Sequence, residues 1–185
     1  MGKKIREKEI ECLIGVNKVN EDRKERLKEL LDKQRQKRIA EEEKREYEYF
    51  LEEVNELFPN DIEYKEEVGI LSKEDSEKIK DELVEGFPFV NNGRINWGLM
   101  FYKVIFSASV DYESALIEVM NKNHKLNNEL CYIIDFNYQY VIKTNLTIII
   151  YRLEQVSSPD RYIYCPQVKL VIDFPSGDIA VGWKK

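Results

Sequence analysis

The sequence predicts an α/β (α+β) protein: an antiparallel or mixed sheet with packed helices, preceded by a long charged N-terminal helical arm. Three observations carry this expectation. Leu130 to Trp183 is the densest apolar stretch, and it reads as strand, helix and then three strand-like runs. Residues 3–46 carry 15 Lys/Arg and 12 Asp/Glu with few apolar positions between them. At Tyr47 the pattern changes, because Tyr47, Phe50, Leu51, Val54 and Leu57 recur at helical spacing and so dock on something apolar. The expected organisation is a charged helical arm over 1–46 and a globular domain over 47–185.

The arm has apolar residues at Ile5, Cys12, Leu13 and Ile14, then at Leu27, Leu30, Leu31 and Ile39. Asn17 and Asn20 are expected to interrupt it, with Asn20 capping the second part. A helix this polar is solvated and held by i,i+4 charge pairs worth a few tenths of a kcal/mol each. Leu27, Leu30 and Leu31 offer a short seam for self-association or a partner helix. Interleaved acids argue against nucleic acid, since phosphate contact wants a field of one sign.

Phe58-Pro59-Asn60-Asp61 ends the docking helix. Ser72-Lys73-Glu74-Asp75 resembles a capping box and opens a helix through Ile79, Leu83 and Val84, closed by Gly86. Residues 47–85 hold 14 acids against 4 lysines, so the negative charge of the chain is concentrated there. An acidic patch of this kind steers a basic partner. Asn91-Asn92-Gly93 is a tight turn, and Asn96 is a candidate cap. Phe101 to Ser107 is apolar and fits strand or helix. Asp111 is a candidate N-cap for a helix carrying Ala115, Leu116, Val119 and Met120.

Leu130-Cys131-Tyr132-Ile133-Ile134 has the continuous apolar character of a strand covered on both faces. Tyr138 to Ile142 follows after a turn at Asn137, as a hairpin or one bent strand. Leu146, Ile149, Ile150, Leu153 and Val156 match the helix template, with Asn145 as N-cap. The strand propensity of Thr147-Ile148-Ile149-Ile150-Tyr151 opposes this by a few tenths of a kcal/mol per residue. Burying the stripe contributes several kcal/mol, which decides for a helix. Arg161–Cys165, Val168–Phe174 and Asp178–Trp183 are strands. Pro175-Ser176-Gly177-Asp178 makes the last two an antiparallel hairpin, and Pro166 marks an edge, bulge or bend.

Function classes narrow quickly. No stretch approaches the roughly 20 apolar residues of a membrane span. The basic start lacks an apolar signal region, so a cytoplasmic location is expected. Cys12, Cys131 and Cys165 are odd in number and form no CxxC pair; the two inside apolar strands, Cys131 and Cys165, are expected to be buried, inert thiols. His124, the single histidine, lies in a polar loop and cannot build a zinc site alone. No catalytic residue, metal or cofactor is expected. Asp135, Asp173 and Asp178 would serve an enzyme only by converging in a cleft, and strand-end aspartates more often cap turns. Trp97 and Trp183 favour core over interface. The candidate partner-binding residues are Glu63, Glu66, Glu67, Trp97, Asp135, Asp173 and Asp178.

One resemblance is visible. Gly93-Arg94-Ile95-Asn96-Trp97 resembles the Gly-Arg-(Ile/Val)-(Asp/Asn)-Trp element of contact-dependent growth inhibition immunity proteins. Cys131-Tyr132-Ile133-Ile134, Val141 to Leu146, Ile163-Tyr164-Cys165-Pro166, Val171 to Phe174 and Gly177 to Gly182 follow in the same order. The resemblance spans roughly residues 86–183. It implies a cytosolic antidote that binds and blocks one cognate toxin, often a nuclease with a basic active-site cleft. It brings no catalytic residues, and it implies a helix over Leu146–Val156. The competing expectation is an interaction or adaptor protein acting through the arm.

Overall fold

A computed structural model describes residues 2–59, 65–91, 93–107, 113–114, 116–117 and 129–184. The chain divides into two compact units, Met1–Tyr47 and Glu48–Lys185. Helix α1 spans Gly2–Leu57, so the first unit is helical throughout its described length. It runs unbroken through Asn17 and Asn20, where the sequence predicts an interruption. Asparagine costs a helix only about 0.7 kcal/mol relative to alanine, and the surrounding Lys, Glu and Arg are good helix formers. Leu27, Leu30, Leu31 and Ile39 are exposed.

In the second unit a seven-stranded antiparallel sheet organises everything else. Its strands are β1 (Gly69–Ile70), β2 (Tyr102–Phe106), β3 (Leu130–Asp135), β4 (Ile142–Asn145), β5 (Arg161–Cys165), β6 (Leu170–Asp173) and β7 (Ile179–Trp183). Their spatial order is β1-β4-β3-β5-β6-β7-β2. The two open readings thereby resolve. β3 and β4 are a hairpin, but the paired strand is Ile142–Asn145, and the 138–141 part of the run expected as a strand is turn and loop. The 101–107 run is an edge strand, paired over Tyr102–Phe106 to β7.

The central strands alternate apolar side chains to both faces. Cys131, Ile133, Ile163, Ile172 and Val181 join one core cluster with Phe50, Val54 and Leu57 of α1. Ile134, Tyr162, Tyr164 and Val171 join the other with Leu83 and Phe87. That second cover is helix α2 (Lys73–Gly86) and the segment after it. Ser72 caps α2 by accepting from the Asp75 N–H at 3.1 Å. The buried Ser76 hydroxyl accepts from the Val141 N–H at 3.0 Å and ties α2 to the start of β4.

Helix α3 (Leu146–Tyr151) begins as predicted, with the Asn145 side chain accepting from the Ile148 N–H at 3.0 Å. A turn at Arg152 separates it from α4 (Leu153–Val156). The buried set keeps Leu146, Ile149, Leu153 and Val156 of the predicted stripe and adds Ile148. Ile148 and Ile149 are both buried, while Ile150 is half-exposed. Arg152 uses its Nε to donate to the Leu57 carbonyl at 3.0 Å, fixing the end of α1.

The cysteine expectation needs correction. The β3–β5 register sets Tyr132 opposite Tyr164, which brings Cys131 opposite Cys165. They form a disulfide with Cα atoms 4.5 Å apart and a sequence separation of 34. Spacing alone could not reveal a pairing made by strand register. At the other bends, Pro166–Val168 forms a 3-10 turn and Gly177 takes a positive φ of 87° between β6 and β7. Asp111, Ala115, Val119, Met120 and His124 lie outside the described residues, whereas Leu116 is helical and fully buried.

A chain beginning at Glu46 should keep a cooperative unfolding transition. Its Tm should fall by no more than about 4 °C, the shift that roughly 1 kcal/mol produces in a domain of this size. A chain beginning after Leu57 loses Phe50, Val54 and Leu57 from the core and should unfold without cooperativity. Loss of the transition in the first truncation would show that the arm is needed for folding.

Candidate partner-binding surface

Of the sequence-predicted residues, the structure brings Trp97 and Asp173 together and leaves the others apart from that pair. Glu63 lies outside the described residues. Glu66 and Glu67 are exposed in the 3-10 turn Lys65–Glu67. The Glu67 carboxylate accepts from the Asn145 side-chain amide, so it also braces the cap of α3. Asp178 is half-buried at the entrance to β7.

Asp135 sits 4.0 Å from Arg161, whose guanidinium also pairs with Glu53 of α1. All three side chains are largely enclosed, at 12%, 14% and 16% exposure respectively. Arg161 donates further to the Gln155 and Val156 carbonyls at the end of α4. Burial pushes the Asp135 carboxyl above its ordinary value, opposed by the Asn137 N–H and by Arg161. Its hydrogen bond to Glu53, with burial, pushes the Tyr138 hydroxyl up to about 12. The network fixes α1 to the sheet.

Asp173 lies on the opposite face. Its neighbour Ile172 joins the cluster that contains Ile133, two residues from Asp135, so alternation sends Asp135 and Asp173 to different sides. Asp135, Asp173 and Asp178 therefore do not converge in one cleft. Asp173 is 2% exposed; it accepts from Trp97 Nε1 at 2.9 Å and from the Phe174 N–H at 2.8 Å. Burial raises its pKa, opposed by those two donors and by Arg94.

Trp97 is positioned from the sequence upward. The Phe89–Ile95 bridge and the Gly93 N–H to Val90 carbonyl bond of 2.9 Å close a tight hairpin, with Gly93 at φ 77°. Asn96 then caps a 3-10 turn by accepting from the Gly98 N–H at 3.1 Å. The indole comes to rest on Gly182, where an added Cβ would lie 2.8 Å from Trp97 Cζ3 and closer still to Met100. Arg94 pairs with Asp160 at 2.8 Å. The residues that carry the family resemblance thus hold the 93–100 segment onto β6 and β7.

What remains on the outside is a surface that sequence reasoning missed. Glu77, Asp81 and Glu85 are exposed at four-residue spacing along α2, so they form one acidic stripe. Glu85 borders a groove of about 530 Å³ lined by Phe87, Pro88, Leu99, Met100, Phe101, Tyr102, Trp183 and Lys184. Phe101 is 97% exposed and Leu99 64% exposed. Tyr102 and Trp183 stack with centroids 6.2 Å apart, while Lys184 lies over the Phe87 ring at 5.6 Å. The only signal in the sequence was the apolar run starting at Phe101, and a run does not state which members face solvent. Among the described residues, no three His, Cys, Asp or Glu side chains gather to hold a metal ion.

The buried carboxylate has a measurable consequence. With its folded pKa raised, Asp173 binds its proton more readily in the folded chain than in the unfolded one. Stability contributed by that proton appears as pH falls through the raised folded value and is complete below the unfolded value of about 3.9. The stability difference between wild type and Asp173→Asn should therefore move in favour of wild type as pH is lowered from 7 towards about 4. Denaturant titrations of both chains across that range measure it. A pH-independent difference would contradict the assignment.

No helix among the described residues is long and apolar enough to cross a membrane. A search of curated proteins finds no match. The sequence model of one family, described as CdiI immunity protein EcoliA0-like, matches residues 50–182. The match starts well before the roughly residue-86 limit of the visible motifs, and so takes in the end of α1 and all of α2. On that match the chain belongs to the family of EcoliA0-like CdiI immunity proteins.

Proposed function

We propose that this chain neutralises a cognate toxin by direct contact in the cytoplasm, occluding the toxin and contributing no chemistry of its own. Family membership over residues 50–182 is the observation that carries the reading. Asp135 and Asp173 lie on opposite faces of the sheet, which supports a binding role over a catalytic one. The proposed target is a nuclease with a basic active-site cleft, for which the acidic outer face of α2 is the electrostatic complement. Of the acids in the 47–85 segment, Glu66 and the stripe Glu77, Asp81 and Glu85 are exposed and suit this role.

A second reading assigns the contact to the arm, by self-association or by binding a partner helix. It rests on Leu27, Leu30 and Leu31, which are 58%, 59% and 57% exposed. Such a seam is short, and coiled coils require sustained heptads.

The toxin encoded beside this gene provides the test. Replacing Glu77, Asp81 and Glu85 together by Lys should leave the melting temperature nearly unchanged, since exposed charges contribute little to folding. Association with that toxin should slow at low salt. The deficit should shrink at about 1 M salt, where the Debye length falls to about 3 Å. Equal association rates at low salt would remove the electrostatic role of α2. Failure of the wild-type chain to bind the toxin at micromolar concentration would sink the neutralising role itself.

A further inference from the structure

We infer that the groove at the β7–β2 end of the sheet is the anchor point for the toxin, taking an apolar side chain carried on a basic segment. This rests on the toxin-binding reading and names the part of the surface that holds the complex together. The first observation is the cluster itself. Phe101 is 97% exposed, Leu99 64% and Tyr102 37%, three residues close in sequence that line one groove. Single exposed apolar residues are ordinary, but a contiguous apolar patch around a concavity marks an interaction site.

Folding does not explain the patch. Phe101 makes no part of either core cluster, whereas Val104 and Phe106 of the strand that follows it pack against the core. The walls are nevertheless firm. Phe87 and Met100 are buried, and Trp183 is held by its stack with Tyr102. Trp97, behind Met100, is fixed by its bond to Asp173. A concavity with a firm floor and an exposed aromatic rim suits one inserted side chain at low ordering cost.

Charge decides between occupants. The stripe Glu77, Asp81 and Glu85 ends at this groove, with Glu85 in its lining. A second copy seated here would bring two acidic stripes together, which is unfavourable. Among the described residues, two cations near the groove are already engaged: Lys103 donates to the Trp97 carbonyl and Lys184 covers Phe87. A basic segment with an aliphatic or aromatic tip satisfies both halves of the surface. The apolar insertion sets how long the complex lasts, while the stripe sets how fast it forms.

The experiment uses the full chain and the toxin encoded beside its gene, by surface plasmon resonance at low and high salt. Phe101→Ala should raise the dissociation rate by roughly tenfold to a hundredfold, as loss of an interface anchor does. The melting temperature should not change, because the ring is exposed. The effect should persist at high salt, unlike that of the acidic-stripe variant. Tyr49→Ala, which removes an aromatic that is 65% exposed on α1, should bind as wild type does. If wild type binds tightly and Phe101→Ala dissociates at the same rate, the groove is not the anchor, though the neutralising role stands. If wild type does not bind, that role falls and the inference with it. Sedimentation of the toxin-free chain covers the remaining occupant. A dimer that Phe101→Ala dissolves, with toxin binding intact, would assign the groove to a second copy and overturn the inference.

Discussion

Strands β3, β5 and β6 are apolar on both faces, and the fold depends on the requirement that both be covered. Fully burying a large aliphatic or aromatic side chain contributes roughly 1.5–3 kcal/mol, against less than about 1 kcal/mol for an exposed ion pair. Coverage therefore determines the architecture, and charge only orients it. The last turns of α1 with α3 and α4 cover one face. Helix α2 and the 87–100 segment cover the other. The polar contacts lie where cover meets sheet: Ser76 on Val141, Arg152 on Leu57, and Arg161 between Glu53 and Asp135. Once the faces are closed, the outer side of α2 and the β7–β2 end are left to meet something else.

The family motifs belong to the coverage and not to the leftover surface. Trp97 reaches β6 through Asp173 and β7 through the bare backbone of Gly182, so three separated motifs meet at one packing point. That arrangement separates two tasks within one domain. The motif residues hold a common scaffold, while Glu77, Asp81, Glu85, Leu99 and Phe101 lie on its outside, where change costs little stability. A protein that must match one toxin needs that freedom on its surface.

Local chemistry was legible in the sequence. Asn145 before an apolar stripe and Ser72 three residues before Asp75 both cap the helices they announce. The Pro175–Asp178 turn joins an antiparallel hairpin. What escaped depends on distant partners. The Cys131–Cys165 pair is set by the register of strands separated by β4, α3 and α4. Ile148 is buried beside Ile149 because the core covers more of the helix than a narrow stripe, which periodicity alone does not show. Asp173 read as an ordinary turn carboxylate, and only the chain folding back from Trp97 makes it a buried acceptor. Phe101 sits in an apolar run, and its exposure is decided by where the sheet ends.

The central claim is that the globular unit meets the toxin through α2 and the adjoining end of the sheet. Amide hydrogen exchange of the full chain, alone and with the toxin encoded beside it, tests this in a single comparison. The account predicts new protection over 77–86 and 97–106, with the already protected β3 and β5 unchanged. Protection confined to residues 2–47, with the sheet end unaffected, would place the contact on the arm and contradict the account.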